Sequence, residues 1–566
     1  MNQMNQNSNN NKAGLIQPTQ RSENKALMLA LSGIILSILL AALDQTIVGT
    51  AMPRIVEELQ GFSLFSWVTT AYLLTSTATI PIAGKLGDMF GRKWLMLIAV
   101  VIFLLGSILS GAAPSMLWLV IFRGLQGIGS GALMSNAFAL VGDLFPSSAK
   151  RAKWQGFIAA AFGMASVFGP SLGGFITDNL NWRWVFYVNM PVGLVALLAL
   201  IFTLPNKPGA GRRKIDWLGS GAIIGAVVCL LLALTWGGQK EPQGYAWFSP
   251  QIMGLFLGAI VLTGLFLMIE RRAAEPILPL HLFKIKAIRS VGIISLSIGA
   301  VLLGTSLYIP LFVQVVLGQS ASGSGAIMTP MSLAVVFANI LTGQFIGRIG
   351  ILKAPFFTGA FFLMAGIGLL LTLSATSPLW EVVIFMIIVG AGMGMIMPTM
   401  TIAVQESVER KDLGVGTSTV QFFRSIGSTV GVALVGTSVI NSYSSNLNSV
   451  SAVKALPAPL QEVLQEPQNL INAGVVAQLP VQIVDTVRVA LADAIHSGFL
   501  ITLIVGLFLV VGVIMMPSIL VKSNKRVKGA AVQNPETSGK ALPDAGLAGG
   551  IVMADAPQSK ELNRVS

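Results

Sequence analysis

The stretch LLAALDQTIVGTAMP (39–53) sets one carboxylate, Asp44, in an otherwise apolar run. A carboxylate there either closes a helix or lies inside one, where it can take up and release a proton. A second apolar run holds a cation, Arg123, within FRGLQGIGSG (122–131). A cation inside a span costs at least ~2.5–3.5 kcal/mol, so it normally meets a partner or a water-filled cavity. Arg123 lies about eight residues from the outer end of its run, and Asp44 about nine below Pro53. At 1.5 Å per residue these depths are roughly 12 and 13 Å. The shared depth favours an acid–base pair or a common cavity over two side chains reaching separately for the surface. Gln126, one turn from Arg123, can hydrogen-bond in the same place. Arg424 sits about eleven residues into a later run, too deep to snorkel out readily. With Gln421 at i−3 it either lines a central cavity or bonds to backbone carbonyls.

These groups need membrane helices to position them. Of 566 residues 54% are hydrophobic and 10% charged, with a mean hydropathy of +0.77, against about 25% charged in a soluble protein. Apolar runs near the roughly 20 residues that span hydrocarbon recur at 27–50, 65–86, 94–113, 115–140, 154–177, 185–204, 217–236, 250–269, 289–316, 325–346, 354–374, 379–403, 414–440 and 497–520. The reading is an all-α polytopic membrane protein with fourteen transmembrane helices and both termini in the cytoplasm. Charge supports it: only Arg54, Arg183, Lys240, Lys454 and Arg488 fall outside, Arg123 and Arg424 fall within spans, and every other Lys and Arg falls inside. A miscounted span would invert each later loop and destroy this bias. The net charge of +13 is therefore topological, and no nucleic-acid partner is expected.

The expected organisation is a cytoplasmic tail over 1–26, a six-helix bundle over 27–204, two inserted helices over 217–269, a second six-helix bundle over 289–520 with a long external loop over 441–495, and a disordered cytoplasmic tail over 521–566. A weak internal repeat supports two halves: GKLGDMFGRK (84–93) aligns with GQFIGRIGIL (343–352), matching Gly84 to Gly343 and Gly91 to Gly350. The single cysteine, Cys229, and two histidines, His281 and His496, have no metal-ligand spacing around them, so no metal is expected. No GxxxxGK[ST] occurs, so ATP is not the expected energy source, and nothing reads as an enzyme.

The motifs carry a family resemblance over nearly the whole chain. GKLGDMFGRKW (84–94), FRGLQGIGSG (122–131) and GMASVFGPSLGG (163–174) resemble loop, fourth-helix and antiporter motifs of the major facilitator superfamily. LDQTIVGTAMP (43–53), NWRWVFYVNMPVG (181–193) and QFFRSIGSTVGVA (421–433) resemble its fourteen-helix drug:proton antiporter branch. The resemblance implies two six-helix halves plus two inserted helices, proton-coupled multidrug efflux with no cofactor beyond the proton gradient, and a cell membrane, bacterial by the same resemblance. In 84–93 it implies a cytoplasmic gate of Gly84, Gly87, Asp88, Gly91, Arg92 and Asp143: Asp88 capping a neighbouring helix N-terminus, Arg92 pairing with Asp143. The plainer reading is a tight turn marked by basic residues. In 163–174, Gly163, Gly169, Gly173 and Gly174 form a smooth helical face and Pro170 bends the helix. Close packing accounts for that face, and the resemblance adds a link to antiport.

Expected partners are protons, the bilayer and small lipophilic or cationic substrates, handled by a monomer. Trp67, Tyr72, Tyr308, Phe312, Gln314 and Asn339, with Gln126, Gln421 and Arg424, are the candidate substrate-cavity residues. Asp44 and Arg123 are the proton-coupling candidates, desolvation favouring the neutral acid and a nearby Arg123 the carboxylate. An exporter of an endogenous lipid or metabolite, and a non-transporting sensor or scaffold, are the alternatives.

Overall fold

In hydrocarbon every backbone donor and acceptor must be satisfied within the chain, so apolar runs of this length fold as helices. The structure, a computed structural model, describes residues 20–59, 64–145, 147–206, 216–238, 245–273, 275–319, 321–449 and 481–519, with Val453, Pro457, Gln461 and Leu464 between the last two ranges. The expected tails lie outside the described residues, except that the first helix already begins at Gln20.

The described helices are α1 (Gln20–Leu59), α2 (Phe65–Phe90), α3 (Arg92–Gly111), α4 (Met116–Leu144), α5 (Ser148–Asn179), a short α6 (Trp184–Tyr187) leading into α7 (Asn189–Thr203), α8 (Trp217–Trp236), α9 (Pro250–Glu270), α10 (Lys286–Leu311), α11 (Ala321–Ile349), α12 (Lys353–Leu370), α13 (Leu379–Ser407), α14 (Leu413–Ser449) and α15 (Val481–Met515). Taking α6 and α7 as one rod, they match the fourteen expected runs in order. Twelve are long and apolar enough to cross a membrane by length and composition. α2 and α5 are each rich in small and polar residues. Both are long, at 26 and 32 residues, and α2 is wedged against α4, α8 and α14 while α5 is wedged against α1 and α11.

Packing repeats between the halves. α1 lies on α5 and α7 as α10 lies on α14 and α15; α4 lies on α2 and α3 as α13 lies on α11 and α12. The repeat seen in sequence has a backbone cause: Gly91 and Gly350, which close the second helix of each half, take φ of 94° and 77°, values that L side chains rarely adopt. The inserted α8 and α9 pack on each other, and α8 also meets α2 and α14 through an apolar cluster including Ile80, Ile223, Val227, Leu231 and Phe422.

The stretch expected as an external loop, 441–495, is shorter. α14 continues to Ser449 and α15 starts at Val481, because Tyr443, Leu447, Val487, Leu491 and Ile495 join the apolar core of the second half. Apart from the four positions named, 450–480 lies outside the described residues.

Candidate functional site

Asp44 is fully buried in α1 and receives donors from two other helices. Arg123 Nη1 of α4 donates to Oδ2, Gln126 Nε2 of α4 to Oδ1 at 2.8 Å, and Asn189 Nδ2 of α7 to Oδ1 at 3.0 Å. Arg123, 1% exposed, also donates from Nη1 to Gln126 Oε1 at 2.7 Å and lies 4.2 Å from the centroid of the Tyr72 ring. Tyr72 donates to Ser130 Oγ at 2.7 Å, and Asn189 Nδ2 also reaches Ser107 Oγ at 3.0 Å. The depth argument thus becomes a direct ion pair. Desolvating either ion costs several kcal/mol, which an ion pair offsets only when the remaining lone pairs and protons are also bonded; both carboxylate oxygens here have donors.

Two of the expected cavity residues belong to this cluster instead. Tyr72 and Gln126 are both 0% exposed and bonded, since the i, i+3 spacing of Arg123 and Gln126 turns both toward α1. Phe312 is likewise fully buried, in the apolar core of the second half, so it lines no open wall in this structure. Tyr308 is 9% exposed, with its hydroxyl beside Gly436. Gln314 is half-buried in the π-helical turn Phe312–Val316 that follows α10. Trp67 stacks edge-on against Trp236 of α8, with ring centroids 5.3 Å apart. Among the described residues, Asn339 of α11 is buried beside Gly156 of α5 with Oδ1 unpartnered, and Gln421 of α14 is buried with Oε1 unpartnered. Arg424 is half-buried and forms no ion pair among the described residues.

The glycine motif of α5 is pressed against the helix that carries Asp44. A Cβ at Gly169 would overlap Thr46 Oγ1, and one at Gly173 would overlap Thr50 Oγ1 and crowd the Ile47 carbonyl. Thr46 Oγ1 donates across this contact to the Ala165 carbonyl at 3.0 Å. Gly174 faces open space, with nothing within 4 Å, so the four glycines do not form one uniform face. Gly163 and Pro170 lie within α5; their surroundings are outside the described residues.

At the ends of the helices read as cytoplasmic, Asp88 caps the start of α14. Its Oδ1 accepts from Gly414 N at 3.0 Å and its Oδ2 from Val415 N at 3.0 Å. Anions are favoured at a helix N-terminus, where N–H groups are unpaired and the dipole is positive. Arg92 bridges Asp88 Oδ1 and Asp143 Oδ2, each at 2.6 Å, and donates to the Ala139 carbonyl at 2.7 Å. Gly84 and Gly87 allow close approach to Ser418 and Asn136.

Sequence reasoning missed a second bridge between the halves. Arg151 of α5 pairs with Glu406 of α13 and donates to Gln405 Oε1 at 3.3 Å, while Gln405 Nε2 donates to the Phe138 carbonyl of α4 at 3.4 Å. In sequence Arg151 was one of many inside basic residues, with no motif to mark its partner. Asn189 was missed too, although it lies in the quoted stretch 181–193.

Fold and site together define a helical membrane transporter. The sequence profile of the Major Facilitator Superfamily matches residues 34–432, and the chain belongs to that family. It is 42% identical over 505 residues to "Multidrug transporter protein MdtP" of Bacillus subtilis (strain 168), covering 86% of this chain and 92% of that protein. It is 37% identical over 496 residues to "Multidrug resistance protein 3" of the same organism, covering 87% and 95%. Among solved structures, the proton:xylose symporter XylE aligns with a TM-score of 0.55 at 15% identity, over 90% of this chain and 99% of that one. That similarity speaks to the fold alone. The chain is a multi-pass protein of the cell membrane.

Proposed function

We propose that the chain is a proton-coupled antiporter that exports bulky lipophilic compounds by alternating access. The observation that carries this reading is the carboxylate of Asp44, buried and held by Arg123, Gln126 and Asn189. The two amides take both lone pairs of Oδ1 and Arg123 takes one of Oδ2. A proton joining Oδ2 therefore cancels the charge that holds Arg123 and frees it to move, and α1 would then shift along the Gly169–Gly173 contact on α5. Proton uptake is thereby tied to motion between helices. The Asp88 and Arg151 bridges hold the cytoplasmic ends of the halves together and would have to break for the inward-open state. Efflux relatives at 42% and 37% identity support drug export over a lipid or metabolite cargo. Cationic compounds, expected from sequence beside lipophilic ones, would meet a carboxylate already engaged by Arg123.

The test is substrate-dependent proton flux in proteoliposomes carrying wild type or Asp44→Asn. Wild type should show flux and the variant none, while the variant still binds substrate. Undiminished flux in Asp44→Asn would end the proposal.

A further inference from the structure

The two halves meet along two seams, α2 against α14 and α5 against α11. Among the described residues, only the first carries a further layer from the inserted helices, since α8 packs on both α2 and α14. At the outer end Trp236 of α8 meets Trp67 of α2. Midway, Ile223 and Val227 join Ile80 of α2 and Phe422 of α14 in one apolar cluster. At the inner end Lys85 of α2 bonds Glu275, just past α9, at 2.9 Å, and α9 backs α8. The inserted pair thus shields the α2–α14 seam from lipid. The α5–α11 seam is bordered instead by exposed apolar side chains, Phe157, Met164 and Phe168 on α5 and Phe337, Leu341 and Phe345 on α11.

Two amides with unmet hydrogen-bonding capacity lie at this second seam. Gln155 of α5 is 2% exposed, and among the described residues neither its Nε2 nor its Oε1 has a partner. Asn339 of α11, 1% exposed, likewise leaves Oδ1 without one. A Cβ on Gly156, the neighbour of Gln155, would sit 3.5 Å from Asn339 Oδ1, which sets the two amides at one level. Gln155 also lies one turn from Arg151 and shares its helix face, and Arg151 pairs with Glu406 of α13. Gln155 is about seven residues into α5, so roughly 10 Å from its inner end, within the inner leaflet of a layer ~30 Å thick. Buried donors and acceptors are nearly always paired, and one left unpaired costs its full desolvation. Two such amides together mark a place where something else supplies the bonds.

We infer that the α5–α11 seam is the entrance by which lipophilic substrate leaves the inner leaflet, with Gln155 and Asn339 as its polar contacts. This rests on the transport reading above. When Arg151 releases Glu406, α5 and α11 part at the level of the two amides, and the gap opens onto acyl chains. The same motion at the α2–α14 seam opens onto α8. One amide donor and two carbonyl acceptors suit an uncharged compound that carries a carbonyl, hydroxyl or amide group.

The experiment follows efflux of Nile red, a neutral dye with one carbonyl that partitions into lipid, from cells lacking other pumps. Gln155→Leu combined with Asn339→Leu keeps similar volume and removes the amides. It should raise the apparent KM for Nile red by about fivefold, the scale of one neutral hydrogen bond, and leave the maximal rate within about twofold. A second arm keeps both amides and starts from Cys229→Ser. A pyrene maleimide adduct at Phe157→Cys, on the lipid side of the seam, should block efflux. The same adduct at Leu265→Cys, exposed on α9, should leave efflux unchanged. The inference is overturned if the double variant lowers the maximal rate with KM unchanged, which marks a role in closing the halves. It is equally overturned if the α9 adduct blocks efflux and the α5 adduct does not. No Nile red efflux by wild type would remove the transport reading itself, and the inference with it.

Discussion

Replacing Asp88 with Asn keeps the side-chain volume and removes its charge, which isolates the latch between α2 and α14. Asp88 is 7% exposed at its side chain and accepts three hydrogen bonds, two from the N-terminus of α14 and one from Arg92. An Asn has one acceptor oxygen, so at least one of the three bonds becomes a donor–donor contact. A bond to a charged group contributes about 1.5–3 kcal/mol, and the charge at a helix N-terminus adds about 0.3–1 kcal/mol. In the opened state water can serve the freed N–H groups, so the loss falls on the closed state. A loss of about 2–4 kcal/mol shifts the closed-to-open ratio by on the order of 30- to 700-fold. Arg92 keeps Asp143 and the Ala139 carbonyl, so the protein should still reach the membrane. The assay uses the single cysteine to advantage: Cys229, half-buried in α8, is changed to Ser, and Thr417, buried in the first turns of α14, to Cys. In everted vesicles a membrane-impermeant maleimide reaches position 417 only when the cytoplasmic ends part. Asp88→Asn should raise the labelling rate at least tenfold and slow transport. An unchanged labelling rate in protein at normal abundance would refute the latch.

Two further outcomes follow from the same geometry. Arg123→Ala leaves the Asp44 charge buried and unpaired, a loss of about 3–5 kcal/mol, so its folded yield in detergent size-exclusion profiles should fall; adding Asp44→Asn should recover yield without recovering proton coupling. Gly169→Ala forces a methyl against Thr46 whereas Gly174→Ala meets nothing within 4 Å, so dye efflux should drop in the first and hold in the second. Equal effects would discard the close approach of α1 and α5 as the reason for the glycines.

Length and charge along the chain made the helices legible. The run expected at 217–236 is α8 residue for residue, and 65–86 and 379–403 differ from α2 and α13 only at their inner ends. Asp44 and Arg123 were paired by depth alone because an intramembrane charge is rare enough for two at one level to be informative. The surroundings of the cavity candidates were not legible. Tyr72 lies in α2, where Thr and Ser are spread round the helix, and Phe312 in the turn FVQVV, so no single polar stripe tells which face meets a neighbouring helix and which an interior. Arg151 was hidden for another reason: its partner, Glu406, lies 255 positions away, and each charge taken alone fits a solvated helix end.

The amino-acid sequence by itself determined that this chain crosses a membrane many times, which way its loops face and which acid and base lie at one depth, since these depend on local hydropathy and on the cost of charge in hydrocarbon. Only the tertiary structure decided that Asp44 is paired with Arg123 and that Asp88 and Arg151 tie the halves at one end. Those facts depend on how helices from distant parts of the chain are rotated against each other, and helix rotation in a near-uniformly apolar bundle is set by packing.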